Sequence, residues 1–182
     1  VLDKNDKTLI KLDDKKLIIN NKLDDEKHVK MANKIAKVEL LGDYLRRGEF
    51  KKLFNLVGII NQSDPKQIYL KDAEKIYSQR YRENKNLKDL YSILICQILQ
   101  RHVAKSEKTI NQILDSDYSN GNAQLAKAII NIYLLDKKDA RIALNNAEKF
   151  EKSQESDEII YVIEGLNNLL ELNFKKAYRL LT

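Results

Sequence analysis

Residues 123–147 read AQLAKAIINIYLLDKKDARIALNNA, and this stretch decides the fold. Leu125, Ile129 and Ile132 recur at helical spacing. Asp136, with Asp139 three residues on, has the arrangement of a helix cap. A second helical run follows, with Ala140 early in it. The unit is therefore a helix–turn–helix. Ser106 lies 34 residues before Ala140 and Ala177 lies 37 after it, each early in the second half of a similar pattern. Leu53 holds the same place 53 residues before Ser106, one period and room for an extra helix. A repeat near 34 residues marks a helical-hairpin solenoid, in which neighbouring units share one continuous core. Such arrays hold other molecules more often than they transform them, so the class of activity implied is binding.

The composition agrees. The chain has 182 residues, long enough for one domain with a sizeable core. Five Gly and one Pro are too few to punctuate an all-β fold. No run of eighteen apolar residues is present, and no signal-peptide pattern. The chain opens on Val1 rather than Met, the start expected of a trimmed or mature polypeptide, so the absence of a leader or anchor in it says nothing of the native protein. Both a cytoplasmic protein and a cell-envelope or periplasmic domain fit. The single cysteine, Cys96, excludes an internal disulfide and sits in an apolar helix face as a small buried hydrophobe.

Residues 1–23 differ from the rest. Thr8–Leu12 and Lys16–Ile19 flank Asp13-Asp14-Lys15, the pattern of a short β-hairpin or of an arm lying along the body. An isolated hairpin is marginal in water, so it needs the helices to dock on. The helical-repeat domain then spans 24–182. A long helix begins after Asp24-Asp25 and ends at Gly48; a second runs from Glu49 to about Ile60. Ser63-Asp64-Pro65 reads as the start of an extra helix at about 66–83. Asn86, Asn120 and Asn173 read as caps, and Ser156 opens the final unit. The repeat-like pairs fall at about 34–65, 87–118, 121–152 and 158–182.

These pairs resemble tetratricopeptide repeats. That family's pattern wants a small residue within the first helix, an aromatic just after the turn, small residues three and ten positions later, and a closing proline. The last unit offers Gly165, Phe174 and Ala177; the one before offers Ala128, Ala140 and Ala147; the first offers Tyr44, Gly48, Phe50 and Pro65. The chain departs at Leu41 and Leu53 in the first unit and at Leu94, Ser106 and Tyr118 in the second, and it has no Trp. The resemblance implies an all-α fold, a right-handed array of antiparallel helical hairpins. It also implies a concave face lined by the first helix of each pair.

On that register the groove falls on Val38, Gly42 and Leu45, then Tyr91, Ile95 and Ile98, then Leu125, Ile129 and Ile132, then Val162, Leu166 and Leu169. Nearly all are apolar. The Lys and Asn with which some family members grip a terminal carboxylate are missing. The expectation is a docking module or scaffold that receives a partner peptide or helix from another protein. The partner-binding candidates are Val38, Leu45, Tyr91, Ile95, Leu125, Ile129, Val162 and Leu166. The competing expectation is a groove filled by residues 1–23, through Leu9, Ile10, Leu17 and Ile18. The last helix, Phe174 to Leu181, lacks the polar outer face of a terminal repeat, so the expectation is either further sequence after it or a covering chain, self-association included.

Nothing singles out catalysis. His28 and His102 lie far apart with no Cys or His at metal-ligand spacing, and no phosphate loop, GxSxG or HExxH is present. The chain is read as non-catalytic and without cofactor. Residues 66–105 carry nine Lys/Arg and four Asp/Glu, a net +5. Tyr77, Arg80, Tyr81, Arg82 and Lys85 interleave rings with cations there, and a basic, aromatic helix at 69–88 is the alternative reading: an RNA-binding helical repeat. The plainer account is a helix with buried Tyr bodies and a wet basic face.

Overall fold

The computed structural model describes the chain apart from residues 1–9, 14–15, 20–25, 64–66, 68 and 151–153. Two four-residue strands come first, β1 (Ile10–Asp13) and β2 (Lys16–Ile19). They pair antiparallel, Ile10 opposite Ile19 and Asp13 opposite Lys16. The body is all-helical: α1 (Glu26–Arg47), α2 (Phe50–Ser63), α3 (Leu70–Asn84), α4 (Leu87–Leu99), α5 (Val103–Ser116), α6 (Gly121–Tyr133), α7 (Lys137–Phe150), α8 (Gln154–Leu170) and α9 (Phe174–Leu181). No described helix is long and apolar enough to cross a membrane.

Four turns share one hydrogen-bond pattern. They join α1 to α2, α4 to α5, α6 to α7 and α8 to α9. Each has one residue at positive φ: Gly48 (70°), Arg101 (58°), Leu135 (61°) and Leu172 (61°). The N–H of that residue donates three residues back, to the carbonyls of Leu45, Ile98, Ile132 and Leu169. The next N–H donates five back, from Glu49 to Tyr44, His102 to Gln97, Asp136 to Asn131 and Asn173 to Asn168. This double bond pattern satisfies carbonyls that a helix end leaves orphaned. It also sets the phase of the next helix: Leu53, Ser106, Ala140 and Ala177 each donate to the carbonyl four residues before, all at 3.0 Å.

From α3 to α9 each helix packs on its sequence neighbour, and α6 also packs on α8. This arrangement is compatible with a helical repeat. Close approach needs small side chains, and Ala128, Ala140, Ala147 and Ala177 are all fully buried. A Cβ on Gly165 would lie 2.7 Å from the Leu181 side chain. α4 is buried nearly all round, from Asp89 to Gln97, because α1, α3 and α5 all pack on it. Cys96 sits inside this helix as the sequence implies, fully buried, and burial pushes its thiol well above its ordinary value.

In the first pair, α1 lies directly on α4, and α2 packs on α1 and α8. The structure corrects two expectations. Ser63 closes α2 instead of opening the next helix, and α3 starts at Leu70 after a positive φ at Gln67 (45°). Pro65 lies outside the described residues. Ser156 is buried within α8 rather than capping it. The expectation that residues 1–23 fill the groove falls largely on residues outside those described, Leu9 among them. The caps read from Asn86, Asn120 and Asn173 are present, accepting from the N–H groups of Lys88 (3.0 Å), Ala123 (2.9 Å) and Lys176 (3.4 Å).

Candidate docking surface

The first helices of the later units, α4, α6 and α8, carry the expected groove side chains. Three of these nine, Tyr91, Ile95 and Leu125, are buried, and the chain's own α1 packs on α4 and α6. An apolar stripe on α1, Ala32, Ile35, Val38, Leu41 and Leu45, is fully buried. It faces a core that includes Tyr91, Ile95 and Leu125. Val38, Leu45, Tyr91, Ile95 and Leu125 are therefore internal, not available to a partner. Burial pushes the Tyr91 hydroxyl up to about 12.

Polar contacts fix α1 at three heights. Near its middle, the Tyr77 hydroxyl of α3 donates to the Ile35 carbonyl at 2.9 Å. One turn on, Arg80 lies 3.0 Å from Glu39 of α1 and 3.1 Å from Asp89 of α4. Burial raises the Asp89 carboxyl above its usual range, against the lowering effect of Arg80. At the end of α1, the Asn122 amide of α6 donates to the Arg46 carbonyl at 3.3 Å. Between these points Gly42 lets the α1 backbone reach Ser92 of α4.

The remaining part of the stripe is open. Ile129 on α6 is 37% exposed, and Val162 and Leu166 on α8 are 46% and 42% exposed. Leu169 and Ile98 are exposed to a similar degree. Since α6 packs on α8, these side chains belong to adjoining helices. At one edge α2 reaches α8 through an ion pair of Lys51 with Glu158 at 3.3 Å. α9 adds further exposed apolar groups, Phe174, Tyr178 and Leu181. Leu181 holds the place in its helix that Ile110 and Leu144 hold in theirs. Those two are 0% and 3% exposed under the following helix, whereas Leu181 is 43% exposed.

The basic helix reads differently in three dimensions. Tyr77 is buried and Arg80 is engaged by two carboxylates. Tyr81 packs partly against the core, with the Lys85 ammonium 5.3 Å from its ring centre. Of the five residues proposed for nucleic acid, Arg82 and Lys85 are exposed. Ser92, which receives α1 at Gly42, gives no signal in the sequence. Compared with protein-family models, curated proteins and solved structures, the chain matches none.

Proposed function

We propose that this chain is a non-catalytic docking module, a tetratricopeptide-like array of helical hairpins whose α6–α8 face receives an apolar helix or peptide of another protein. The observation that carries this reading is the exposed row Val162, Leu166 and Leu169 on α8 beside Ile129 on α6. The spacing of 162, 166 and 169 matches the i, i+4, i+7 anchors of a helix-in-groove contact. Three aliphatic anchors contribute roughly 1.5–3 kcal/mol each when fully buried. Association costs about 4–15 kcal/mol, so a partner must also use polar contacts around the row. The buried part of the groove, at Tyr91, Ile95 and Leu125, takes no part.

A pull-down from native extract with the immobilised chain tests the proposal. A retained protein should be lost with Leu166→Asp, whose side chain is exposed, while the variant keeps its helical signal. Retention by the folded variant would place the interface elsewhere.

A further inference from the structure

A second concavity lies away from the apolar row, between α3 and the start of α5. It is open to solvent, with a volume of about 700 Å³. Lys71, Lys75 and Arg82 of α3 line it together with Lys105 of α5, against two carboxylates, Glu74 and Glu83. α3 turns Leu70, Ala73 and Tyr77 into the core, which leaves 71, 75, 78 and 82 as one stripe along the opposite side. From 71 to 82 that stripe rises eleven steps, roughly 16 Å of helix.

The charges in the cleft are not balanced internally. Glu74 is occupied: it accepts from the Gln97 and Gln100 amides at 3.1 and 3.0 Å and lies 3.8 Å from Lys105. Glu83 accepts from the Gln79 amide at 3.0 Å. Lys71, Lys75 and Arg82 have no carboxylate partner among the described residues. Some cations elsewhere are paired, as Arg46 with Asp43, Arg141 with Glu171 and Lys176 with Glu164; what sets the cleft apart is that four cations gather around one concavity. Like charges four residues apart on a helix repel, so Lys71 and Lys75 favour a bound anion. The positive end of α5 adds to the field. The His102 side chain makes no cap bond there, whereas Asp136 and Asn173 cap the corresponding helices. No Tyr, Phe or Trp lines the cleft to stack a base.

We propose that this cleft binds a small polyanion of linked phosphates, free or as the tail of a nucleotide. The proposal is independent of the docking face. Calorimetric titration of the whole chain at low salt tests it, with inorganic tripolyphosphate, a nucleoside triphosphate, orthophosphate and a single-stranded RNA oligonucleotide as probes. Tripolyphosphate should bind saturably at one site and more tightly than orthophosphate, and rising salt should weaken it. A nucleoside triphosphate that binds no tighter than tripolyphosphate assigns recognition to the phosphates alone; one that binds tighter makes the nucleotide the source. Lys75→Ala and Arg82→Ala, both at exposed positions, should each weaken binding about five- to tenfold. Lys85→Ala and Lys88→Ala, outside the cleft, should bind as the parent does. Absence of saturable tripolyphosphate binding overturns the proposal. So does equal weakening by the Lys85 and Lys88 substitutions, which would mean diffuse charge. RNA binding tighter than tripolyphosphate and dependent on Lys85 would assign the surface to nucleic acid instead.

Discussion

Gly42 of α1 meets Ser92 of α4 so closely that a Cβ built on the glycine would lie 2.9 Å from the Ser92 backbone nitrogen. A backbone atom cannot swing aside as a side-chain tip can, so the two helices would have to separate. Gly42→Ala should therefore destabilise the fold by about 1–3 kcal/mol, the usual cost of overpacking. Gly58 in α2 is the internal contrast, with nothing within 4 Å of its added Cβ. Gly58→Ala should stabilise by about 0.5–1 kcal/mol, through the smaller entropy loss of alanine in a helix. Urea unfolding of both variants checks the pair; a Gly42→Ala midpoint equal to the parent's would mean that α1 does not sit this tightly on α4.

The Asp89 carboxyl makes the α1–α3–α4 junction sensitive to pH. Its pKa is raised in the fold, first by burial and then by Glu39, with Arg80 opposing. A carboxyl with a raised folded pKa binds its proton more tightly in the native state than in the unfolded chain. Its contribution is then best at low pH and is lost as pH rises from the unfolded value toward the folded one. Asp89→Asn removes this slope. The stability of the parent minus that of Asp89→Asn should fall as pH rises above about 4. Thermal unfolding of both proteins from about pH 4 to 7 reads the difference; a difference that grows with pH would show that Arg80 outweighs burial.

The turns supply a third prediction. Leu172 adopts φ 61° and is exposed, so it carries left-handed strain with little burial in return. The left-handed conformation costs an L-residue roughly 1–2 kcal/mol, partly offset in Leu172→Gly by the glycine's larger unfolded entropy. The net gain should be a few tenths to about 1 kcal/mol. Gly48→Ala should do the reverse, because its φ is 70° and its Cβ would meet the Asn122 side-chain oxygen at 2.7 Å. Chemical denaturation separates the two; a destabilised Leu172→Gly would show that the leucine side chain packs better than its exposure implies.

Those turns also show what the sequence reveals and what it hides. The phase of the repeat is legible, because Leu53, Ser106, Ala140 and Ala177 all follow the turn residue by five positions. The turn residues are not, since only Gly48 is a glycine and Arg101, Leu135 and Leu172 give no compositional cue. The caps at Asn86, Asn120 and Asn173 are legible because a side-chain acceptor before an apolar run has one main use there. The partner of α1 is hidden for a different reason. The stripe Ile35, Val38, Leu41 and Leu45 is equally suited to a foreign helix and to α4, and periodicity carries no information about which one covers it. The same limit divides the expected groove: Tyr91 and Val162 hold equivalent places, yet one is buried and the other open. The cleft itself is not legible in the sequence, since it depends on the start of α5 lying beside α3.

That division gives the sharpest test of the docking surface. Leu125 and Leu166 both belong to the row read from the sequence as a groove, but Leu125 is fully buried and Leu166 is 42% exposed. Leu125→Asp places a carboxylate in the core and should cost on the order of 4 kcal/mol or more. Leu166→Asp should change stability by no more than about 0.5 kcal/mol, as surface substitutions do. Partner capture should then separate from folding: Leu166→Asp stays folded and loses the partner, while Ile142→Asp, exposed on α7, stays folded and keeps it. Matching unfolding midpoints for Leu125→Asp and Leu166→Asp would mean that α1 does not cover the groove. Loss of capture by Ile142→Asp alone would move the interface from α8 to the outer face of α7.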